Sequence, residues 1–381
     1  MLNGIKNWLK ELNEKRLWRR KIAKLTRMAD ECSADTQLVN NRNVTIPGLI
    51  KSILLVDTLH CYGDSLYVNG LIRKLRADSP SVSITVLAEQ QQFPIYQARG
   101  CRMLDRRDPE TMELLADESF DLVIDLCYTD DGEWFFRKKI LGSKERFVIT
   151  LSPVVHKAKI FSAFIDLTSV TLFGERIYLV AEAVSALIKG VARVDEKKQL
   201  IFNFARGEIV KPWIDVSNDL SVNDERDRFI YVNTAGSKAG REFSKEQIEA
   251  FVNIFNRQEE FIGLFYFKYC PKWFTESDRV RLVTTEQFID AVKIISNCSG
   301  LISPDTSIVH VATAMNKPLL AVYALGKKEY PSGLDHYEVW KPVNKNAMTI
   351  TDTVTKVGDI CVSVIEKSTL KFFTKIDDNW I

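Results

Sequence analysis

Short apolar runs alternate along this chain with longer amphipathic stretches. KSILLVDTL (51–59), VSITVLA (82–88), FDLVIDLCY (120–128) and RFVITL (146–151) have the apolar and β-branched character of strands buried on both faces. Between and after them, DSLYVNGLIRKLRAD (64–78), with Leu66, Leu71 and Leu75 among its apolar positions, and ERIYLVAEAVSALIKG (175–190) read as helices. The rhythm restarts at RFIYVNTAGS (228–237). The helix SKEQIEAFVNIFNRQ follows, with Ser244 and Gln247 spaced as a capping box, then the strand FIGLFYF (261–267). TEQFIDAVKIISNC (285–298) reads as a helix, GLISP (300–304) and PLLAVYAL (318–325) as strands, and DTVTKVGDICVSVIEKS as a closing helix before the tail LKFFTKIDDNWI. Strand–helix alternation of this kind predicts doubly wound α/β structure with largely parallel sheets.

At 381 residues the chain is long enough for two cores, and two Rossmann-like halves sharing a cleft is the economical arrangement. The expected divisions are an arm over 1–48, a first domain over 49–205, a second over 206–345, and a C-terminal helix and tail over 346–381. No tandem repeat or low-complexity tract interrupts them.

Charge changes this picture only at the start. The formal net charge of +2 gives no whole-molecule argument for nucleic acid. Residues 1–30, however, carry nine Lys/Arg against Glu11, Glu14 and Asp30, about +6, with Trp8 and Trp18 at helical spacing among the basic residues. Such a helix suits an anionic membrane surface or a partner; equally, it can pack on the protein's own surface. Seven dispersed cysteines without CxxC spacing suggest reduced thiols rather than a disulfide framework or a metal site. No apolar run approaches the ~20 residues of a membrane span. With no signal-peptide pattern at the start, a cytoplasmic protein is expected.

Three stretches place polar chemistry just beyond predicted strands, where open parallel sheets bind ligands. In HCYGDSLYVNG, Gly63 would permit a tight turn, and Asp64 would either cap the next helix or act as a general base on a hydroxyl substrate. In NTAGSKAGREF (233–243), Gly236, Ser237, Lys238, Gly240 and Arg241 could receive a phosphate or form a plain exposed turn. The Walker A spacing is absent. In LISPDTSIVHVATAMNKPLLAVYA (301–324), Asp305 is a candidate N-cap, Thr306 and Ser307 add hydroxyls to the first helical turn, and His310 falls about one turn on. A diphosphate fits that constellation better than a lone structural histidine does.

This last stretch resembles the glycosyltransferase family 9 heptosyltransferases, whose motif reads Asp-Thr-Gly-x-x-His-x-Ala-x-Ala followed by Lys-Pro. Asp305, Thr306, His310, Ala312, Ala314, Lys317 and Pro318 fall in register with it. The opening strand, Gly-Asp turn and helix, DLVIDL and NTAGS fit the same layout, so the resemblance spans roughly residues 50–340. It implies a GT-B fold: two Rossmann-like domains facing a central cleft, the first for acceptor and the second for nucleotide sugar. It also implies transfer of heptose from ADP-L-glycero-D-manno-heptose to the lipopolysaccharide inner core, with inversion and with no metal or other cofactor required. By position, Asp64 would be the general base. Thr306, Ser307 and His310 would bind the diphosphate, Asp305 the sugar, and Lys238 or Arg241, beside Ser237, the leaving phosphate. The partners implied are a nucleotide-sugar donor and a lipid-linked glycan acceptor. The basic arm suits a peripheral position on the inner face of the cytoplasmic membrane.

The chain departs from the pattern at Ser307 (glycine in the family), at Arg241 and Phe243 in place of the usual Lys-x-Trp-Pro loop, at Asn69 near a customary proline, and in HCYGD. These changes bear on donor and acceptor more than on fold. A transferase using another nucleotide sugar, a non-catalytic nucleotide-sugar or glycan binder, and an epimerase on the same scaffold are the alternatives.

Overall fold

The computed structural model describes residues 46, 48–57, 61–96, 100–126, 147–151, 162–167, 170–215, 228–236, 238, 240–326 and 335–379. The basic arm and Ser237 lie outside them.

The described residues fall into two compact units. The first takes in Met1–His60, Leu71–Val170 and Glu175–Ile209. Its strands are β1 (Ser52–Val56), β2 (Ser83–Ala88), β3 (Arg102–Asp105), β4 (Leu122–Asp125), β5 (Phe147–Thr150) and β6 (Ala163–Phe164), with β7 (Arg193–Val194) and β8 (Leu200–Ile201) as a small antiparallel pair. The six-stranded sheet runs β3-β2-β1-β4-β5-β6 and is parallel throughout. Ile53, Leu54, Leu122 and Ile149 have no exposed surface, as strands covered on both faces require. Two acids at the carboxyl edge are buried with partners: Asp57 accepts from Tyr96 and Gln92, and Glu89 pairs with Arg106 and Arg107. The RMLD strand β3 was too short and polar to be read from the pattern.

The second unit takes in Cys61–Gly70, Thr171–Gly174 and Val210–Ile381, so the start of the Tyr62–Asp78 helix belongs to it. Its strands are β9 (Arg228–Asn233), β10 (Phe261–Tyr266), β11 (Val280–Val283), β12 (Gly300–Pro304), β13 (Leu319–Ala324) and β14 (Ala347–Asp352). They pair in parallel as β11-β10-β9-β12-β13-β14, repeating the first unit's order. In such an order the chain reverses direction between the two central strands, here β9 and β12, and a crevice opens beyond their carboxyl ends.

Two expectations for this unit need correction. The closing helix does not begin at residue 352. That residue ends β14, a single 3-10 turn follows at Val357–Asp359, and the helix runs Val362–Asn379 through the supposed tail. Ile365, Phe372 and Ile376 supply the buried stripe that extends it, and Phe373 lies 5.3 Å from Phe255 of the Lys245–Arg257 helix. The second correction concerns Gly63, which lies inside the first helical turn rather than in a tight turn before it. The Ser244–Gln247 capping box forms as expected (Gln247 N to Ser244 Oγ 3.3 Å, Ser244 N to Gln247 Oε1 3.0 Å).

Candidate active site

The site grows from the reversal point of the second sheet. β9 ends on Asn233, whose buried amide donates to Ser303 Oγ and to Thr306 Oγ1, both at 3.1 Å. Thr306 Oγ1 in turn accepts from Ile308 N at 3.2 Å and caps the Ser307–Ala314 helix. The N-cap is therefore Thr306 and not Asp305, because Asp305 still continues the strand path, donating its N–H to Val322 O at 3.1 Å. One polar side chain from each central strand thus fixes where the helix starts and where its unpaired amides point.

Beyond β9 the chain doubles back over that cap. Phe243 N donates to Thr234 O (3.0 Å), and Ala235 bridges Glu242 antiparallel. A side chain at Gly236 would put its Cβ 2.8 Å from Arg241 O and 3.2 Å from Thr306 Cγ2, so the close approach requires glycine. Gly240 takes a φ of +89° and accepts from Val357 N at 2.8 Å. Lys238 stands exposed at the tip, whereas Arg241 is turned inward with Nε 3.5 Å from Asp305 Oδ2.

Asp305 is nearly buried (6% exposed) and meets a residue the sequence reading did not single out, His336, whose Nδ1 lies 2.5 Å from Asp305 Oδ2. Burial pushes the carboxyl's pKa up, but the His336 hydrogen bond and the charges of His336 and Arg241 outweigh it and hold the group below its usual range. His310 is also buried, and its Nδ1 has no hydrogen-bond partner. Burial lowers its pKa to about 4, with Asp305 opposing and His336 adding to the shift. At neutral pH His310 is therefore a neutral imidazole, offering an N–H rather than a charge. Its ring sits among Tyr67 (5.2 Å, edge-on) and Trp340 (5.5 Å), and Tyr67 also packs edge-on against Phe173 at 5.1 Å.

The Gly-Asp turn reaches the same place. A methyl group at Gly63 would lie 2.9 Å from His310 Cδ2 and 3.7 Å from Ser307 Cα, so the first turn of the Tyr62–Asp78 helix can rest there only because residue 63 lacks a side chain. Asp64 follows in that turn, largely buried, where the helix N-terminus favours negative charge. Burial and the Asp64 charge together raise the Tyr67 phenol's pKa. Tyr62 stacks on Phe288 at 4.2 Å, and Asn69 donates to Trp213 O at 3.0 Å, a structural use of the position near the family's proline.

Of the candidate residues, Asp305, Thr306, Ser307, His310 and Arg241 gather around one helix start, Asp64 lies in the turn packed against it, and Lys238 is exposed on the adjoining loop. Asn233 was legible in principle, as an amide closing an apolar strand. His336 and Trp340 were not, since their segment has no periodicity that points at residue 305. Among the described residues, no group of three or more His, Cys, Asp or Glu is placed to hold a metal ion, and no helix is long and apolar enough to cross a membrane.

Similarity to known proteins bears on the family and the fold. Residues 272–356 match the family model "Glycosyltransferase family 9 (heptosyltransferase)". The resemblance to glycosyltransferase family 9 holds. An Escherichia coli (strain K12) relative, provisionally named lipopolysaccharide heptosyltransferase 4, is 24% identical over 347 residues, covering 86% of this chain and 89% of its own. Among solved structures, E. coli ADP-heptose lipopolysaccharide heptosyltransferase II superimposes with a TM-score of 0.62 at 16% identity, over 85% of this chain and 99% of that one. A family 9 glycosyltransferase from Veillonella parvula gives 0.62 at 13% identity, over 85% and 98%. An E. coli heptosyltransferase solved with ADP-2-deoxy-2-fluoro heptose gives 0.61 at 11%, over 84% and 99%. The fold is thus the GT-B arrangement of two Rossmann-like domains, and the family 9-like chain is a glycosyltransferase.

Proposed function

We propose that the protein is an inverting heptosyltransferase that moves a heptose from ADP-L-glycero-D-manno-heptose to the lipopolysaccharide inner core. The observation that carries this reading is the contact of Gly63 with His310 and Ser307, which sets the turn bearing Asp64 against the Ser307–Ala314 helix start. In the reaction, the Asp64 carboxylate accepts the proton of the acceptor hydroxyl as its oxygen attacks the anomeric carbon from the face opposite the diphosphate. The bond from that carbon to the diphosphate breaks, and the configuration inverts. Charge gathering on the departing ADP meets the amides of the helix start, the hydroxyls of Thr306 and Ser307, and the His310 N–H. Arg241 is engaged by Asp305, so Lys238 is the cation assigned to the leaving group. Asp305 binds sugar hydroxyls. Asp64→Ala should lower kcat by about 10²–10⁴ while leaving donor affinity within a few-fold. Unchanged transfer would remove Asp64 from the role of base.

The acceptor in this reading is a lipid-linked glycan, and residues 1–30 hold the enzyme to an anionic membrane face. Deleting them should weaken sedimentation with anionic vesicles, chiefly at low salt. Equal binding by the shortened chain rejects the anchor.

A further inference from the structure

His336 lies outside the Asp-Thr-x-x-x-His motif, 31 residues beyond Asp305 in the sequence, yet it makes the shortest polar contact to that acid. It is held in place from two other sides. The Asp335–Glu338 capping box (both hydrogen bonds 2.9 Å) fixes the start of the His336–Trp340 helix, and the imidazole stacks on Trp340 with ring centres 5.9 Å apart and planes 23° from parallel. Trp340 is itself buried, and its carbonyl accepts from Tyr323 at 3.2 Å. Neither the cap nor the stack needs a histidine. The contact to Asp305 needs an N–H donor.

A buried carboxylate stays ionised only with donors close at hand. Arg241 Nε, at 3.5 Å, supplies charge but no short hydrogen bond. His336 Nδ1, at 2.5 Å, is the donor atom closest to the carboxylate. An imidazole that donates through Nδ1 has its tautomer set by the acid, and the acid has its rotamer set by the imidazole.

We propose that His336 is a positioning residue: it orients the Asp305 carboxylate and keeps it ionised, so that this acid can accept hydroxyls of the donor sugar. The inference rests on the reading of Asp305 as the sugar-binding group. Asp305 is faced by His336, Arg241, His310 and Tyr323. Removing the His336 donor leaves Arg241 as the nearest cation, so the carboxylate swings toward it or takes up a proton more readily.

Two variants separate positioning from packing. His336→Phe keeps a ring on Trp340 but has no donor, and His336→Asn keeps an N–H donor without the full ring. Leaving a buried carboxylate short of its donor should raise the KM for the sugar nucleotide at least about tenfold in His336→Phe. ADP, which lacks the sugar, should bind within about threefold of wild type, and His336→Asn should recover most of the loss. The proposal is overturned by an unchanged KM in His336→Phe, by equal loss of ADP and sugar-nucleotide affinity, or by equal impairment of the two variants. Long-range ¹H–¹⁵N NMR of the wild-type imidazole gives a substrate-independent check: a protonated Nδ1 is expected, and an unprotonated one overturns the link to Asp305. A wild type that shows this signal but binds no sugar nucleotide instead overturns the reading of the site, and with it the sugar-binding role of the pair.

Discussion

His310 shows how a residue's surroundings decide its chemistry. Packed among Tyr67 and Trp340, with its imidazolium form suppressed to a pKa of about 4, it can offer an anion an N–H dipole but no charge. The same burial has a consequence for stability. An unfolded histidine takes up its proton near pH 6.5, whereas the folded one resists until about pH 4. Between those values the unfolded state binds the extra proton, so stability is complete above about pH 6.5 and falls as the pH drops, by about 3 kcal/mol in all. Asp305, whose folded pKa is depressed, adds its loss only below about pH 4. Urea unfolding of wild type and His310→Leu at pH 7, 5.5 and 4.2 separates the two windows. The wild type should lose stability between the first and last pH and the variant should lose much less; parallel losses would mean that His310 is not buried in its neutral form.

At the scale of elements, the Lys245–Arg257 helix does more than its amphipathic pattern requires. Gln247, the third residue of its capping box, also donates to Val357 O at 3.0 Å and Ile360 O at 2.7 Å. The helix start therefore clamps the 3-10 turn at Val357–Asp359, and Val357 N in turn holds Gly240 of the loop that carries Lys238 and Arg241. Ser244→Ala removes one cap and should cost about 1 kcal/mol. Gln247→Ala also takes the side-chain donor from Ile360 O and one of the two donors from Val357 O, which keeps Ile360 N, and should cost about 2 kcal/mol. Denaturant midpoints check both, and equal costs would contradict the clamp. The capping box was legible in the sequence because Ser and Gln three apart before an apolar stripe have few other local uses. The carbonyls it reaches lie more than a hundred positions on, so no local pattern points to them. The Val362–Asn379 helix was displaced in the sequence reading for a related reason. β-Branched residues at 351–355 fit a strand end as well as a helix start, and only packing on the second sheet distinguishes them.

At the scale of the molecule, two units repeat one strand order, and among the described residues the second gathers an acid, hydroxyls and an imidazole at its reversal point. That much was visible in the alternation of apolar runs and in the Asp305–His310 spacing. The strands β3, β11 and β14 were not, being short or mixed in polarity. The placement of His336 was not either, because it depends on a chain return from residue 335 that no periodicity encodes. The reading of this reversal point as a seat for a nucleotide diphosphate is what links fold to activity, and calorimetry tests it most directly. Titrate ADP, UDP, GDP and CMP into wild type and His310→Ala without added metal. Selective binding of ADP is expected, weakening about tenfold or more in the variant. Preference for another nucleotide would contradict the ADP-heptose donor, and no binding to any of the four would contradict the site itself.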